Sequence, residues 1–232
     1  MQEKTFSELL TGLTSDFTPV VDAGFSVSDY TPIDLSVKNK DLSEKELSSA
    51  EAFSEYLSKY LQKKGKKVAW RGYNELRELY QRSGLFSAEE DPELKRNIHL
   101  GIDVWAAAGT DVLAVLDGTV HSFRDNDNFG DYGPTIILKH EIKNQKFYSL
   151  YGHLSRSSLA GLKERDQVVK GEKIGELGAA SENGDYAPHL HFQLIRDLQG
   201  QKGDFPGVTS RRFLAEYLQD CPDPNLLLKI PG

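Results

Sequence analysis

The sequence predicts a mainly β chain of antiparallel sheets with an α-helical N-terminal extension, α+β overall. Three observations carry this. Apolar residues recur at helical spacing in the first third of the chain. From about Arg96 onward they alternate at the spacing of strands. The alternating runs are short, and turn residues separate them: Asp117-Gly118, Asn128 to Gly133, Lys143-Asn144, Lys170-Gly171 and Glu182 to Gly184.

Taken in order, Thr5-Phe6-Ser7-Glu8 has the spacing of a capping box and opens a short helix. Residues 14–47 are rich in Ser, Thr, Asp and Pro without a sustained period, and read as an extended wrapping segment or a loosely ordered one. Ser48-Ser49-Ala50-Glu51 is a second capping box. Behind it Phe53, Tyr56, Leu57, Tyr60 and Leu61 fall on one helix face. Lys63 and Lys64 suit the negative end of the helix dipole, and Gly65 suits its C-cap. A second helix is expected over Tyr73 to Arg82, with Leu76, Leu79 and Tyr80 inward and Gly84 as its stop. Ser87 to Pro92 reads as a linker. Strands are expected at 96–104, 111–123, 134–142, 145–153, 167–177 and 189–196. A last helix is expected over Arg211 to Gln219, and Pro222, Pro224 and Pro231 oppose regular structure after it. The division that follows is a helical and irregular extension over 1–94 packing on the core, a β domain over 95–200, and a loop-and-helix tail over 201–232.

Composition narrows the function classes. The chain has 232 residues, 38% hydrophobic and 27% charged, enough for a core without disulfide staples. No apolar run approaches the ~20 residues of a membrane span. A formal net charge of −7 opposes nucleic-acid binding, which needs a basic footprint. The single cysteine, Cys221, forms neither an internal disulfide nor a Cys-rich zinc module. MQEKTFSELL lacks the basic start and apolar stretch of a secretory signal. That leaves a cytosolic chain or a processed form, and Met1 favours the first.

All six histidines lie between 99 and 191. In Arg96 to Val104, Ile98, Leu100, Ile102 and Val104 share one strand face, while His99, Gly101 and Asp103 share the other. The bland alternative is a surface His and Asp on a half-exposed strand. In Pro188 to Leu194, His189, His191 and Gln193 share a face opposite Leu190, Phe192 and Leu194. Tyr151-Gly152-His153-Leu154-Ser155 ends another alternating run. Two histidines and one carboxylate make the three-ligand set of a catalytic zinc site, and two further histidines remain for proton transfer and oxyanion stabilisation.

This constellation resembles the lysostaphin-type zinc metallopeptidase family, whose best-known members cleave peptide bridges in peptidoglycan. His99-Leu-Gly-Ile-Asp103 matches its HxxxD motif, His189-Leu-His191 its HxH motif, and Tyr151 to Ser155 its central histidine motif. Val169 to Gly178 matches the hairpin that precedes HxH. The resemblance covers about residues 95–197 and implies that His99, Asp103 and His191 bind one Zn²⁺ per chain. His153 and His189 are then the catalytic pair, and His189 is favoured as the base. It implies metal-assisted hydrolysis of a peptide, with a peptidoglycan fragment as a candidate substrate. A narrower resemblance, on Leu116 to Phe123, Asp131 to Pro134, Gly203 to Gly207 and Cys221 to Leu227, is to the peptidase-type domain that some bacterial proteins fuse to kinase-like and class III aminotransferase domains. Many family members carry Ser-Thr-Gly before HxH and an acidic residue two positions after it. Here Asp185-Tyr186-Ala187-Pro188 and Gln193 stand there, at expected substrate contacts.

The remaining features have plainer readings. His121 and His140 are expected to have structural or rim roles, Cys221 to be an inert thiol, and Trp70 and Trp105 core or rim anchors. Lys63 to Lys67 reads as a solvated helix end. Asn126 to Tyr132 reads as a loop that shapes access to the groove. Two other functions remain: a cytosolic zinc hydrolase of a small amide metabolite, and a non-catalytic peptide-binding or regulatory module of the same fold. Degenerate members usually lose a ligand or a catalytic histidine, and this chain keeps all five.

Overall fold

The computed structural model describes residues 5–40, 42, 48–77 and 91–231. It is mostly β. One sheet of eight strands dominates: β1 (Tyr30–Pro32), β2 (Val68–Arg71), β5 (Ile102–Trp105), β12 (His189–Ile195), β9 (Gln145–Gly152), β8 (Gly133–Ile142), β7 (Gly118–Asn126) and β10 (Gln167–Val168), in that spatial order. All neighbours are antiparallel except β1 and β2. A two-stranded sheet pairs β6 (Asp111–Leu113) with β11 (Lys173–Glu176). A three-stranded sheet pairs β4 (Ile98–His99) with β3 (Glu75–Leu76) and β13 (Val208–Thr209).

Strand alternation sorts the large sheet into two buried faces. Ile102, Val104, Ile136, Leu138, Tyr151, Leu190, Phe192 and Leu194 lie in one apolar cluster. Leu227 and Leu228 of α4 (Asn225–Leu228) and Leu10 of α1 (Phe6–Thr11) join them. On the other face Leu100, Ile137, Leu150, Ile195, Phe205 and Cys221 cluster, with Tyr217 and Leu218 of α3 (Leu214–Asp220) packed against them. Helix α2 (Ala50–Lys64) sets Phe53 and Leu57 against Ile33, Leu35, Ala69 and Trp105.

The local signals of the helices operate as their chemistry requires. Thr5 and Glu8 form the reciprocal capping box of α1. Gly65 closes α2 in the left-handed conformation, behind Lys63 and Lys64. The start of α2 is shifted: Ser49, not Ser48, is its N-cap, and its hydroxyl accepts from the Ala52 N–H at 3.1 Å. Between the helices, the described part of 14–40 is mostly irregular, with a 3-10 turn at Val27–Asp29 and strand β1. Val20, Val21, Ile33 and Leu35 are buried, and Val21 bridges to Val112.

Three expectations are corrected. The helix expected over Tyr73 to Arg82 is absent over its described part: Tyr73 and Asn74 form a turn, with Asn74 at φ +54°, and Glu75–Leu76 is strand β3. Backbone pairing of β3 with β4 overrides the helical spacing of Leu76. Residues 78–82, with Leu79 and Tyr80, lie outside the described residues, as does most of the linker expected over Ser87 to Pro92. The strand expected over 96–104 breaks at Leu100-Gly101 into β4 and β5, which belong to different sheets; there the Leu100 N–H donates to the Gly207 carbonyl at 2.9 Å. The runs 111–123 and 167–177 likewise divide, into β6 with β7 and β10 with β11.

Candidate metal centre and active site

Register assembles the site. In the antiparallel pair β5–β12, His191 lies opposite Asp103 and His189 opposite Trp105; across the next seam His191 lies opposite Gly152. Directly opposed residues send their side chains to one face, here the face away from Leu190, Phe192 and Leu194. The break at Gly101 then turns His99 back over Asp103. No side chain fits at that bend: a Cβ on Gly101 would lie 2.6 Å from His191 Cε1 and 2.8 Å from the Phe192 carbonyl oxygen. His153, the residue after β9, enters the same face from a left-handed backbone, φ +62°, costing about 1 kcal/mol or more. Its N–H donates to the Tyr132 carbonyl at 2.8 Å.

The five histidine and aspartate side chains singled out in the sequence come together and are nearly inaccessible, at 2–6% exposure. His99 Nε2 lies 2.8 Å from His191 Nδ1 and 3.2 Å from Asp103 Oδ1. His191 Nδ1 is also 3.2 Å from Asp103 Oδ1. These three groups can present one ligand atom each to a common point. The half-exposed strand of a surface His and Asp is therefore excluded.

Outer partners assign the tautomers. His99 Nδ1 faces the Gly72 carbonyl at 3.0 Å, so Nδ1 carries the proton and donates. Gln193 sends its amide NH₂ to the Pro206 carbonyl at 3.2 Å, which leaves Oε1 to accept from His191 Nε2–H at 2.8 Å. Both facing nitrogens, His99 Nε2 and His191 Nδ1, are thereby lone pairs. They point at each other and at a carboxylate oxygen with no proton between them. Three converging acceptors in a buried space form an unstable set unless a cation sits among them. Two imidazoles and a carboxylate with these outer-shell tethers suit zinc.

Electrostatics favours the ligand forms. Burial pushes His99 down to about 3, so it is neutral at ordinary pH. Burial alone would raise the Asp103 carboxyl, but its polar surroundings, with the cationic Arg77 guanidinium on Oδ2, hold it well below the usual carboxylate range. Asp103 Oδ2 is bound by the Arg77 guanidinium, itself 1% exposed.

His153 and His189 stand beside this trio with ring centroids 4.2 Å apart. His153 Nδ1 faces the Asn183 carbonyl and His189 Nδ1 the Ala187 carbonyl, both at 2.8 Å. Each Nδ1–H donates there, leaving Nε2 as the basic nitrogen. Burial lowers both pKa values. His189 Nε2 lies 3.9 Å from Asp103 Oδ1, and its ring stacks on Trp105 at 5.6 Å. All five groups line a cavity of about 300 Å³, bordered by Tyr132 and by Asp204 to Val208.

The structure relocates several other residues. Gln193 is not a substrate contact: it is fully buried and touches His191, Pro206 and Cys221 Sγ. Trp105 is a buried core anchor, as expected, whose ring also backs His189. His140 is buried between the Asp117 carbonyl and the Ser149 hydroxyl, a structural role. Asn126 to Tyr132 does reach the cavity, through Gly130, Asp131 and Tyr132. Arg77 and Gly72 escaped sequence reading, because the segment holding them was assigned in part to a helix. The positive φ of Gly72, +125°, and the 2.7 Å that would separate its Cβ from His99 Nδ1 show why glycine stands there.

Sheet, buried donor trio and paired histidines define a β domain organised around a candidate metal centre. Residues 97–204 match the model of peptidase family M23. Among curated relatives, an uncharacterized metalloprotease of Haemophilus influenzae is 31% identical over 127 residues, covering 52% of this chain and 24% of the relative. The cell division protein DipM of Caulobacter vibrioides is 32% identical over 94 residues, covering 40% of this chain and 14% of the relative. The matched parts thus span a quarter or less of the length of these relatives. Among solved structures, the catalytic domain of the antimicrobial peptidase lysostaphin from Staphylococcus simulans is similar at 25% identity and a TM-score of 0.37, covering 52% of this chain and 80% of that one.

Proposed function

We propose that the chain is a zinc-dependent metallopeptidase that hydrolyses a peptide or amide bond in a peptidoglycan-derived peptide. The observation that carries this is the convergence of three proton-free acceptors, His99 Nε2, Asp103 Oδ1 and His191 Nδ1. These residues would hold the ion. When bound, zinc supplies a Lewis acid for the scissile carbonyl and a more acidic water. The two remaining histidines do the proton work. Each is neutral and fixed at Nδ1–H, so Nε2 accepts a proton from the attacking water or, once protonated, stabilises the oxyanion and releases the leaving amine. The 3.9 Å between His189 Nε2 and Asp103 Oδ1 supports it as the base. Burial of the trio keeps bulk water from weakening these interactions.

The substrate class rests on the lysostaphin-type resemblance, and kinship to the fused peptidase-type domains through Gly203 to Gly207 and Cys221 to Leu227 is part of the same proposal. The test is a hydrolysis screen of zinc-loaded protein against cross-linked peptidoglycan, glycine-rich peptides and small amides. Peptide cleavage that a chelator abolishes and zinc restores is the expected result. Cleavage of small amides alone would move the substrate to metabolites. No hydrolysis of any of them, or hydrolysis indifferent to chelation, would contradict the reading.

A further inference from the structure

We infer that Arg77 is a positioning residue of the metal centre, fixing the Asp103 carboxylate so that Oδ1 alone is offered to the ion; this rests on the metal-centre reading above. Arg77 lies outside residues 97–204, the region matched by the family model. It reaches the site from the N-terminal third.

The geometry is that of a built clamp. The side chain of Arg77 is 1% exposed, and Asp103 4%. One terminal nitrogen binds Asp103 Oδ2. Nε donates to Glu75 Oε2 at 2.6 Å, and Glu75 Oε1 accepts from the Leu35 N–H at 3.3 Å. The guanidinium also lies over the Trp105 ring at 5.8 Å. Two carboxylates and an aromatic face therefore fix the guanidinium plane, and the plane fixes Oδ2. Oδ1 is left facing His99 Nε2 and His191 Nδ1, each at 3.2 Å. The same segment supplies the Gly72 carbonyl that sets the His99 tautomer. Residues 72–77 thus hold two of the three candidate ligands.

Two effects of Arg77 oppose each other. Its charge repels a nearby cation, whereas its fork preorganises the carboxylate that binds one. Preorganisation wins in this inference, because the carboxylate is buried and must not turn between its two oxygens. Lys and Gln substitutions separate the effects. Lysine keeps the charge and loses the planar fork; glutamine loses both.

The experiment measures zinc dissociation constants by competition with a chromophoric chelator, for full-length wild type, Arg77→Lys, Arg77→Gln and Glu75→Gln. Circular dichroism reports folding, and the visible spectrum of the cobalt-loaded proteins reports ligand geometry. Arg77→Lys is expected to weaken zinc about 10–100-fold, the usual effect of losing an outer-shell partner, and to alter the cobalt spectrum. Glu75→Gln, which keeps Arg77, should weaken zinc less, in the same direction; it decides the matter if Arg77→Lys does not fold. Unchanged affinity in a folded Arg77→Lys, or tighter binding in Arg77→Gln, makes Arg77 a mere charge or packing element and overturns the inference. Wild type that takes up no zinc removes the metal centre and this inference together; wild type that binds normally beside unaffected variants removes the inference alone.

Discussion

His153 and His189 owe their chemistry to backbone carbonyls. The Asn183 and Ala187 oxygens fix which nitrogen carries the proton, and so which one faces the cavity. Their alanine variants should keep zinc and fold yet lose turnover by ~10²–10⁴ each, measured as initial rates on whichever peptide the screen selects. A rate like that of wild type would remove that histidine from the mechanism. Cys221 is the opposite case. Its thiol is buried against Gln193, and burial pushes it up to about 12, far above ordinary pH. A raised thiol pKa means protonated sulfur and no nucleophilic thiolate. A thiol reagent at pH 8 should titrate no sulfur in the native protein and one in denaturant; rapid native labelling would contradict this burial. At this scale the sequence was legible where chemistry repeats with strand period. His99, Asp103, His189 and His191 stood out because each pair alternates with apolar residues in the sequence, although the bend at Gly101 and not one continuous strand brings His99 to Asp103. Arg77 did not, because its partner is 26 positions away and its neighbours carry helical spacing.

Among the elements, α2 shows how far local signals go. Its cap, apolar stripe, terminal lysines and closing glycine were all readable, since each acts within a turn or two of itself. Leu57, buried against β-strand residues, is the measure of what the stripe contributes. Leu57→Ala should cost about 2–5 kcal/mol in denaturant unfolding, and Ser49→Ala about 1 kcal/mol. A loss under the cap effect for Leu57→Ala would mean that α2 does not pack as described. The strand breaks were not readable. Alternation continues through Leu100 and Gly101, and nothing local ends the strand. The bend comes from Gly207, brought in from the far end of the chain, and from the His191 ring that fills the space a side chain would need.

At the level of the whole molecule, the N-terminal third supplies β1 and β2 at one edge of the main sheet, α2 over Trp105, and the carbonyl and guanidinium that hold the candidate ligands. Period and charge could foresee a covering segment, but not its parallel pairing, which is set by the register Tyr30↔Val68. We propose that this third is a cover integral to the β domain. Deleting residues 1–90 should expose the edge of β5, lower solubility and weaken zinc together, read by melting temperature and chelator competition. A truncated chain of unchanged melting temperature and zinc affinity would make the third a detachable extension.

The centre itself is tested most directly by zinc content. Purified protein, freed of loose metal by dialysis, is assayed by mass spectrometry beside His99→Ala and Asp103→Ala. About one zinc per chain in wild type and almost none in either variant is the expected result, since a mononuclear site of three ligands does not survive the loss of one. Zinc retained in full by both variants would show that the ion is held elsewhere, and His99, Asp103 and His191 would cease to be its site.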